Sequence, residues 1–318
     1  MDIVEVSSQE YGNLFQNYTT VYNSPEFNDL NRAKVEEIKY LFFVKGKIRL
    51  GLIAGIRGQS LLSPFSAPFG GFSCVKMDIS LQDLLLAATT LESYAGNLGV
   101  EEISMTLPPQ FYDDSTIAKI INTLYLSKFE IANIDLNYHF DLALFDENYS
   151  NMMWRNARKN LRIALKQGMI FRECASGEER KSAYDVIQAN REAKGYPLRM
   201  SYKQVVETGG VIDSHFFLAE FKGSPVAAAI VFHVAPKIAQ VIYWGDMPGN
   251  SSLKPINFLS YHLFEHFKEA GVGIVDIGPS TENSQPNFGL CEFKESIGCL
   301  ISPKFSFRKR LCLRAPTI

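Results

Sequence analysis

A phenylalanine and a lysine near the end of the chain have the residue types and spacing that could do chemistry. Phe293 and Lys294 lie between Gly289 and Gly298, shortly after the last apolar, strand-like run. An ammonium held near the end of a sheet can stabilise negative charge that develops on an oxygen. The spacing alone favours a simpler interpretation, a surface lysine on an ordinary turn.

A second candidate is the loop at residues 245–255, which leads from a predicted strand into a predicted helix. Its small residues allow backbone N–H groups to approach a ligand, and a helix N-terminus favours an anion such as pyrophosphate. Pro255 suits the first turn of that helix. The same composition is common in turns before helices, so the loop alone indicates little.

Residues 154–168 predict an amphipathic helix with one basic face, closed by Gly168. Its cations, with no acidic residue among them, are Arg155, Arg158, Lys159, Arg162 and Lys166. Its apolar stripe is Trp154, Ala157, Leu161, Ala164 and Leu165. Three interpretations stay open: a rim that attracts a phosphorylated ligand, a nucleic-acid contact with steep salt dependence, or a solvated face.

Several familiar catalytic motifs are absent from the sequence. It contains no GxxxxGK[ST], GxSxG or HExxH, and no GxGxxG follows a predicted strand. His262 and His266 have the i, i+4 spacing of metal ligands, but without a nearby carboxylate motif a surface or core position is favoured. We therefore expect no metal site. The five cysteines form no CxxC pair, so we expect buried or half-buried thiols: Cys74, Cys174, Cys291, Cys299 and Cys312.

These candidates sit in an order of elements that occurs twice, which indicates an internal duplication. In the first half, strands are predicted at 38–43, 48–56 and 102–107, with a helix at 80–98. In the second half, strands are predicted at 215–221, 226–234, 238–244 and 273–277, with a helix at 255–270. Both helices end at a glycine, Gly99 and Gly271. The order predicts a mixed sheet covered by helices rather than a strictly alternating parallel fold.

Length and composition indicate the number of domains and the classes of partner. A chain of 318 residues exceeds what one core usually serves, so we predict two domains, 1–150 and 151–318, with the working site in the second. The net charge of −2, from 32 basic and 34 acidic side chains, argues against DNA binding by the whole molecule. The first residues lack a basic, apolar leader and no apolar run approaches ~18 residues, so we expect a cytoplasmic protein without a membrane span.

Three of these segments together resemble the FemAB/FemX-like group of the GNAT acyltransferase superfamily. They are the link WRNARKNLR at 154–162, the loop before Pro255, and the pattern Gly289-Leu290…Phe293-Lys294…Ile297-Gly298. The resemblance spreads over most of the chain and is strongest between Trp154 and Cys299. It implies an α/β (α+β) fold of two tandem GNAT-like domains, each with a mixed, largely antiparallel sheet flanked by helices, the second entered through the basic helix.

The resemblance also implies roles for single residues. Lys294 would stabilise a tetrahedral intermediate and Phe293 would pack beside the acyl donor, with Tyr243 as a further catalytic candidate. The donor would bind at Gly249, Asn250, Ser251, Ser252, Lys254 and Asn257, a loop that departs from the usual Gln/Arg-x-x-Gly-x-Gly/Ala pattern. Phosphates of donor or acceptor would contact Arg158, Lys159 and Arg162. Gly70 and Gly71 resemble a Gly-Gly loop near the acceptor pocket.

The implied reaction is transfer of an acyl or aminoacyl group to an amine of a small molecule or cell-wall precursor, including a cell-envelope or sugar-nucleotide acceptor. The charge of −2 and the lack of a helical arm favour acetyl-CoA or another acyl-CoA as co-substrate, with no tightly bound cofactor. Aminoacyl-tRNA, the donor of cell-wall members that build peptidoglycan bridges, is the alternative, and a catalytically silent ligand-binding module is another. For the general base, Tyr243, Asp246, Asp276 and a group of the substrate itself stay open.

Overall fold

The computed structural model describes residues 1–15, 19–76 and 78–311, so Cys312 lies outside the described residues. The strands in chain order are β1 Asp2–Val6, β2 Glu37–Lys45, β3 Lys47–Arg57, β4 Ser60–Ser63, β5 Ser73–Cys74, β6 Glu102–Thr106, β7 Glu130–Asp141, β8 Ile170–Glu173, β9 Ser214–Phe221, β10 Ser224–Ala235, β11 Ile238–Asp246, β12 Ile274–Pro279, β13 Thr281–Glu282, β14 Gln285–Pro286 and β15 Leu300–Arg310. The α-helices are α1 Ser8–Leu14, α2 Pro25–Leu30, α3 Leu81–Asn97, α4 Asp114–Leu126, α5 Tyr149–Met152, α6 Arg155–Ala164, α7 Gly177–Lys194, α8 Tyr202–Gly209, α9 Pro255–Glu269 and α10 Phe288–Ser296.

The predicted strands and helices are confirmed, with ends that differ by one or two residues. The strand predicted at 226–234 is β10, and the helix predicted at 80–98 is α3. Gly99 and Gly271 follow α3 and α9 with φ of 76° and 77°, the left-handed conformation expected after a helix. The basic helix is shorter than predicted, because α6 ends at Ala164 and Gly168 closes the turns that follow it.

The first compact unit contains Met1–Leu136 and the residues from Ser302 onward. Its strands follow the order β1-β2-β3-β4-β6-β15-β7. Strand β2 is apolar at successive positions because other elements of the unit cover both of its faces. Leu41 and Phe43 belong to a core shared with α3 and α4, whereas Tyr40 and Phe42 pack with Tyr11 of α1. Burying one such side chain contributes roughly 1.5–3 kcal/mol.

The second compact unit is Asn137–Ile301, with the strand order β7-β12-β11-β10-β9-β8. Strand β10 is buried without interruption from Val226 to Phe232 and contacts both α7 and α9. Helix α9 adds Phe264, whose ring stacks on Phe140 of β7 at a centroid distance of 4.2 Å. The core of this unit therefore lies against β10 and the half of β7 that belongs to it.

Each unit contains a parallel strand pair among antiparallel neighbours. In unit 1, β4 pairs with β6, and α3 lies in the connection between them. In unit 2, β11 pairs with β12, and α9 lies in the connection. One parallel strand pair with a helical connection therefore occurs in each unit. This agrees with the mixed, largely antiparallel fold that the sequence predicts, and it supports the duplication.

The compact units do not coincide with the predicted domains. The first ends at Leu136 instead of residue 150, and the chain returns to it at Ser302. The reason is β15, which pairs antiparallel with β6 from Ser306 opposite Thr106 to Arg310 opposite Glu102. A contiguous split cannot represent a unit completed by the last strand of the chain. No described helix has the length and apolar character that a membrane crossing requires.

Candidate active site

The parallel strands β11 and β12 are paired over only part of their length. The pairing joins Ile238–Gln240 to Ile274–Asp276. Strand β11 then continues to Asp246 and β12 to Pro279 without a further pairing to each other among the described residues. Beyond Gln240, this edge of β11 has no strand partner among the described residues. Carboxyl ends of parallel strands are where α/β folds commonly bind ligands, so we call this region the β11–β12 gap.

Asp276 closes the paired end of the gap. Its fully buried carboxylate accepts hydrogen bonds from Asn137 Nδ2 at 2.7 Å, Gln240 Nε2 at 2.6 Å and the N–H of Gly278 at 2.9 Å. Between Asp276 and Gly278 the register of β12 against β7 shifts. Because donors occupy both carboxylate oxygens, Asp276 fixes the end of β12 and is poorly placed to serve as the general base.

Lys294 lies beside the other end of β12, on α10 rather than on the turn that its glycine neighbours suggest. Its Nζ donates to the carbonyl oxygens of Ile277 at 3.0 Å, Gly278 at 2.9 Å and Pro279 at 3.2 Å, and the residue is 2% exposed. Burial lowers its pKa to about 8. The three N–H bonds of the ammonium are thus used by the backbone. Stabilisation of a tetrahedral intermediate by Lys294 stays a prediction, and it requires one of these bonds to be exchanged.

Tyr138 and Glu295, which the sequence patterns do not indicate, lie next to Lys294. The ring centroid of Tyr138 lies 5.2 Å from the ammonium, and the Tyr138 hydroxyl donates to Glu295 Oε1 at 2.9 Å. Burial raises the pKa of Tyr138. Tyr138 reaches Lys294 only because β7 pairs with β12. That pairing could not be inferred from the sequence, so Tyr138 could not be predicted.

Phe293 and Tyr243, the other predicted catalytic residues, lie on α10 and on the open part of β11. The Phe293 ring packs edge-on against Trp244, with centroids 5.9 Å apart. Tyr243 is buried, and its Oη accepts the N–H of Met200 at 3.2 Å. Burial raises the pKa of Tyr243, which opposes a role as general base near neutral pH and suits it to donate a hydrogen bond.

Arg191 of α7 is a neighbour of Tyr243 that the sequence patterns did not reveal. Its guanidinium carbon lies 5.7 Å from the Tyr243 ring centroid and 6.0 Å from that of Tyr196. A single arginine in a helix rich in charged residues carries no distinguishing sequence signal. Only the fold brings it beside β11.

The six predicted donor-loop residues lie together between β11 and the first turn of α9. Gly249 turns the chain with φ of 89°, and Ser251–Leu253 form a 3-10 turn. Three N–H groups of this loop, those of Asn250, Leu253 and Lys254, donate to carbonyls inside it, and the N–H of Asn257 donates to Lys254. Pro255 has no N–H to offer. Fewer amides are therefore available to a pyrophosphate than an uncapped helix N-terminus provides.

The predicted phosphate-binding residues lie together on α6. A cavity of about 620 Å³ is lined by Arg155, Asn156, Arg158, Lys159 and Arg162. No residue in the described ranges forms an ion pair with the cations of this helix. The Nε of Arg158 is buried without a hydrogen-bond partner. Helix α6 adjoins α10, because the N–H of Trp154 donates to the carbonyl of Ser296 at 3.0 Å.

The apolar stripe predicted for this helix is correct in part. Ala157, Leu161 and Ala164 are buried, whereas Trp154 is 50% and Leu165 45% exposed. Trp154 precedes the helix and Leu165 follows it, so neither is fixed by the helical face that packs on the unit.

Gly70 and Gly71 belong to unit 1, apart in the chain from the other predicted site residues. The N–H of Gly70 donates to Thr106 at 2.8 Å, and the N–H of Gly71 donates to Ser63 Oγ at 3.1 Å. Gly71 has φ of 98°. These contacts give the glycines a structural role in their loop, and acceptor binding by them stays a prediction.

The histidine pair and the cysteines have ordinary surroundings. His262 Nδ1 lies 2.8 Å from Glu265 Oε2, and His266 packs edge-on against Phe217. Within the part of the chain that the structure describes, no three His, Cys, Asp or Glu side chains are grouped to hold a metal. Cys74 is half-buried, and Cys174, Cys291 and Cys299 are buried free thiols, as predicted. Burial raises the pKa of Cys299 to about 12.

No family model and no curated protein sequence matches this chain. Solved structures do. The chain is similar to FemX, with a TM-score of 0.72, 12% identity and 98% of each chain covered. It is also similar to L-PGS from Bacillus licheniformis (TM-score 0.60, 11% identity, 98% of this chain and 94% of that chain). A tandem GNAT protein from the clavulanic acid biosynthesis pathway follows (TM-score 0.51, 11% identity, 98% of each chain).

At these identities the likeness establishes the fold. The chain has the FemX-like, tandem GNAT fold, so the fold class and the structural resemblance predicted from the motifs are confirmed. The activity is a separate question, and it is argued from the site.

Proposed function

We propose that the protein is an N-acyltransferase that moves an acyl or aminoacyl group from a phosphate-bearing carrier to an amine. The observation that carries the proposal is the β11–β12 gap, which Asp276 and Lys294 border, with the basic face of α6 next to α10. A fold shared with FemX and with a tandem GNAT protein supports it. The gap takes the acyl group, and α6 takes carrier phosphates.

In the proposed reaction, the neutral amine attacks the carbonyl carbon of the donor. A C–N bond forms, and the carbonyl π electrons move to oxygen. The open edge of β11 offers backbone N–H groups to that oxyanion. Collapse restores the carbonyl, breaks the bond to the carrier and transfers a proton from the amine to the departing carrier. Of the three candidate bases on the protein, we assign Asp246 to carry this proton. Asn190 and Lys194 both contact its Oδ1, so its Oδ2 has no partner among the described residues, whereas both oxygens of Asp276 accept hydrogen bonds.

Acyl-CoA is the first carrier to test, as the overall charge suggests. One observation favours aminoacyl-tRNA as the second. Helix α6 presents Arg155, Arg158, Lys159 and Arg162 without acidic partners in the described ranges, whereas the loop before α9 uses its amides internally. Phosphate neutralisation by several cations is what RNA binding requires.

The deciding experiment incubates the protein with a panel of acyl-CoAs and, separately, with charged tRNA, each against a panel of amines that includes sugar nucleotides. Mass spectrometry detects the acylated amine. We expect product with one carrier and none in Lys294→Ala, while the exposed control Lys203→Ala stays active. Carrier binding without product in any combination would support the silent module, and a lack of thermal stabilisation by every carrier at about 100 times a plausible Kd would refute the proposal.

A further inference from the structure

Arg191 is a half-buried cation with no negatively charged partner among the described residues. Its Nε–H is buried and donates to no acceptor among the described residues. None of the carboxylates that the structure describes lies within 4.0 Å of its guanidinium. Burial lowers its pKa, as expected when a cation leaves water. Even partial burial of a cation without a counter-ion costs free energy, so the position of Arg191 requires a reason other than stability.

Arg172 shows how this unit treats an arginine that serves the fold. Its guanidinium pairs with Glu179 at 2.7 Å and with Glu220 at 2.8 Å. Carboxylates in the region of Arg191 have other partners. Asp246 accepts from Asn190 and lies 3.5 Å from Lys194, and Glu282 pairs with Arg199. Neither of these carboxylates is therefore free to become the partner of Arg191 through a change of side-chain conformation.

Two tyrosine rings flank Arg191, and both are held in place. The Tyr196 hydroxyl accepts Asn287 Nδ2 at 2.8 Å, and the Tyr243 hydroxyl accepts the N–H of Met200. Aromatic rings near a guanidinium stabilise the cation and leave its planar N–H groups to bind an oxyanion in bidentate fashion.

Arg191 lies beside β11, one of the two strands that border the β11–β12 gap. Tyr243 belongs to the unpaired part of β11. On the β12 side lies Lys294, whose pKa is lowered chiefly by burial and also by the charge of Arg191. An anion between β11 and β12 would be attracted by the positive charges of both Arg191 and Lys294.

We propose that Arg191 binds an oxyanion of the substrate, a carboxylate or a phosphate, and so selects an anionic substrate for the β11–β12 gap. The inference rests on the proposed function only in taking the gap as the substrate site. Anion binding itself is measured without any acyl transfer, so failure of one does not imply failure of the other.

The chain offers a direct probe, because it has two tryptophans and one of them, Trp244, follows Tyr243. In a Trp154→Phe background, the fluorescence of Trp244 is titrated with inorganic phosphate and with acetate, against chloride at equal ionic strength. We expect a saturable change with at least one of the two oxyanions, and the tighter one identifies the group. Loss of one charge-assisted bidentate contact in Arg191→Gln should raise the apparent Kd roughly 10-fold or more.

Two comparisons keep the result interpretable. Arg180→Gln, on the same helix and with its guanidinium 5.8 Å from the Phe216 ring, should leave the Kd unchanged. Arg191→Met should unfold at the same temperature as the parent or higher, whereas Arg172→Met should unfold at a lower temperature. An unchanged Kd in Arg191→Gln, no response to either oxyanion, or a clear loss of thermal stability in Arg191→Met would overturn the inference.

Discussion

Lys294 differs from a surface lysine because each of its N–H bonds is directed to a main-chain carbonyl of β12. An ammonium in that position fixes the backbone at the end of β12, whether or not a substrate is bound. The same residue can therefore be essential to the site while its main contacts are structural. Separating these roles requires stability measurements beside activity.

Replacing Lys294 by Met removes the donor to three carbonyls while keeping the volume of the stem. We expect the free energy of unfolding to fall by about 1–3 kcal/mol, because buried carbonyls lose their partner. Urea denaturation measures this, with Lys203→Met on the exposed face of α8 as the matched control. Equal stability of Lys294→Met and the parent would mean that the ammonium contributes nothing to the end of β12.

The pH dependence of that difference is a second prediction. Burial lowers the pKa of Lys294 to about 8, whereas a lysine in an unfolded chain titrates near about 10.4. Between these values the unfolded chain binds more protons, so stability due to this group rises with pH. The stability gap between the parent and Lys294→Met should widen from about pH 8 to about 10.4, by at most about 1.4 kcal/mol per pH unit. A gap that stays constant would place the pKa at its ordinary value.

Single residues mark the limit of what the sequence predicts. Phe293 and Lys294 can be selected from their motif, but burial of Lys294 follows from β12, which lies elsewhere in the chain. Gln240 and Asp276 interrupt apolar strands, and that interruption is a usable signal for a buried polar contact. Arg191 has no such signal, because it is one of many charged residues in α7.

Helix α6 carries a prediction at the scale of one element. Arg158→Gln combined with Arg162→Gln should weaken binding of the carrier and reduce its salt dependence, because fewer phosphates are neutralised. Stability should change by less than about 0.5 kcal/mol, since neither side chain has an ion pair in the described residues. Affinity measured against salt concentration tests this, and Lys203→Gln combined with Lys181→Gln is a control of equal charge. An identical salt slope in parent and double variant would exclude α6 from carrier binding.

Elements with continuous apolar runs or clear end signals were predictable, as β2, β10 and α9 show. Helices α7 and α10 were not. Helix α7 buries Ala183, Tyr184, Val186, Ile187 and Asn190 among many charged residues, so its apolar period is weak. Helix α10 is short, contains Gly289 and is followed by Gly298, and glycines so close together indicate a turn. Its helical state depends on a cap at Asn287 and on the contacts of Lys294 with β12.

At the scale of the molecule, unit 1 depends on the last strand of the chain. Truncation after Ile301 removes β15, which stands between β6 and β7 in the sheet order of that unit. We expect loss of the buried Phe307 and of the pairing to β6 to unfold unit 1. Hydrogen exchange should then be fast in β2 and β3 and slower in β10. Equal protection of β2 in the truncated and parent chains would contradict this.

Strand β15 also has a consequence for biosynthesis. Unit 1 is begun first by the ribosome, yet residues 302–310 emerge only after all of unit 2 has been made. During translation its sheet has unpaired edges at β6 and β7, and exposed edges of this kind invite association with other chains. Unit 2 can finish first, so the order of folding should run opposite to the order of synthesis. Nascent chains of this protein are therefore expected to need chaperone protection until residues 302–310 have emerged from the ribosome.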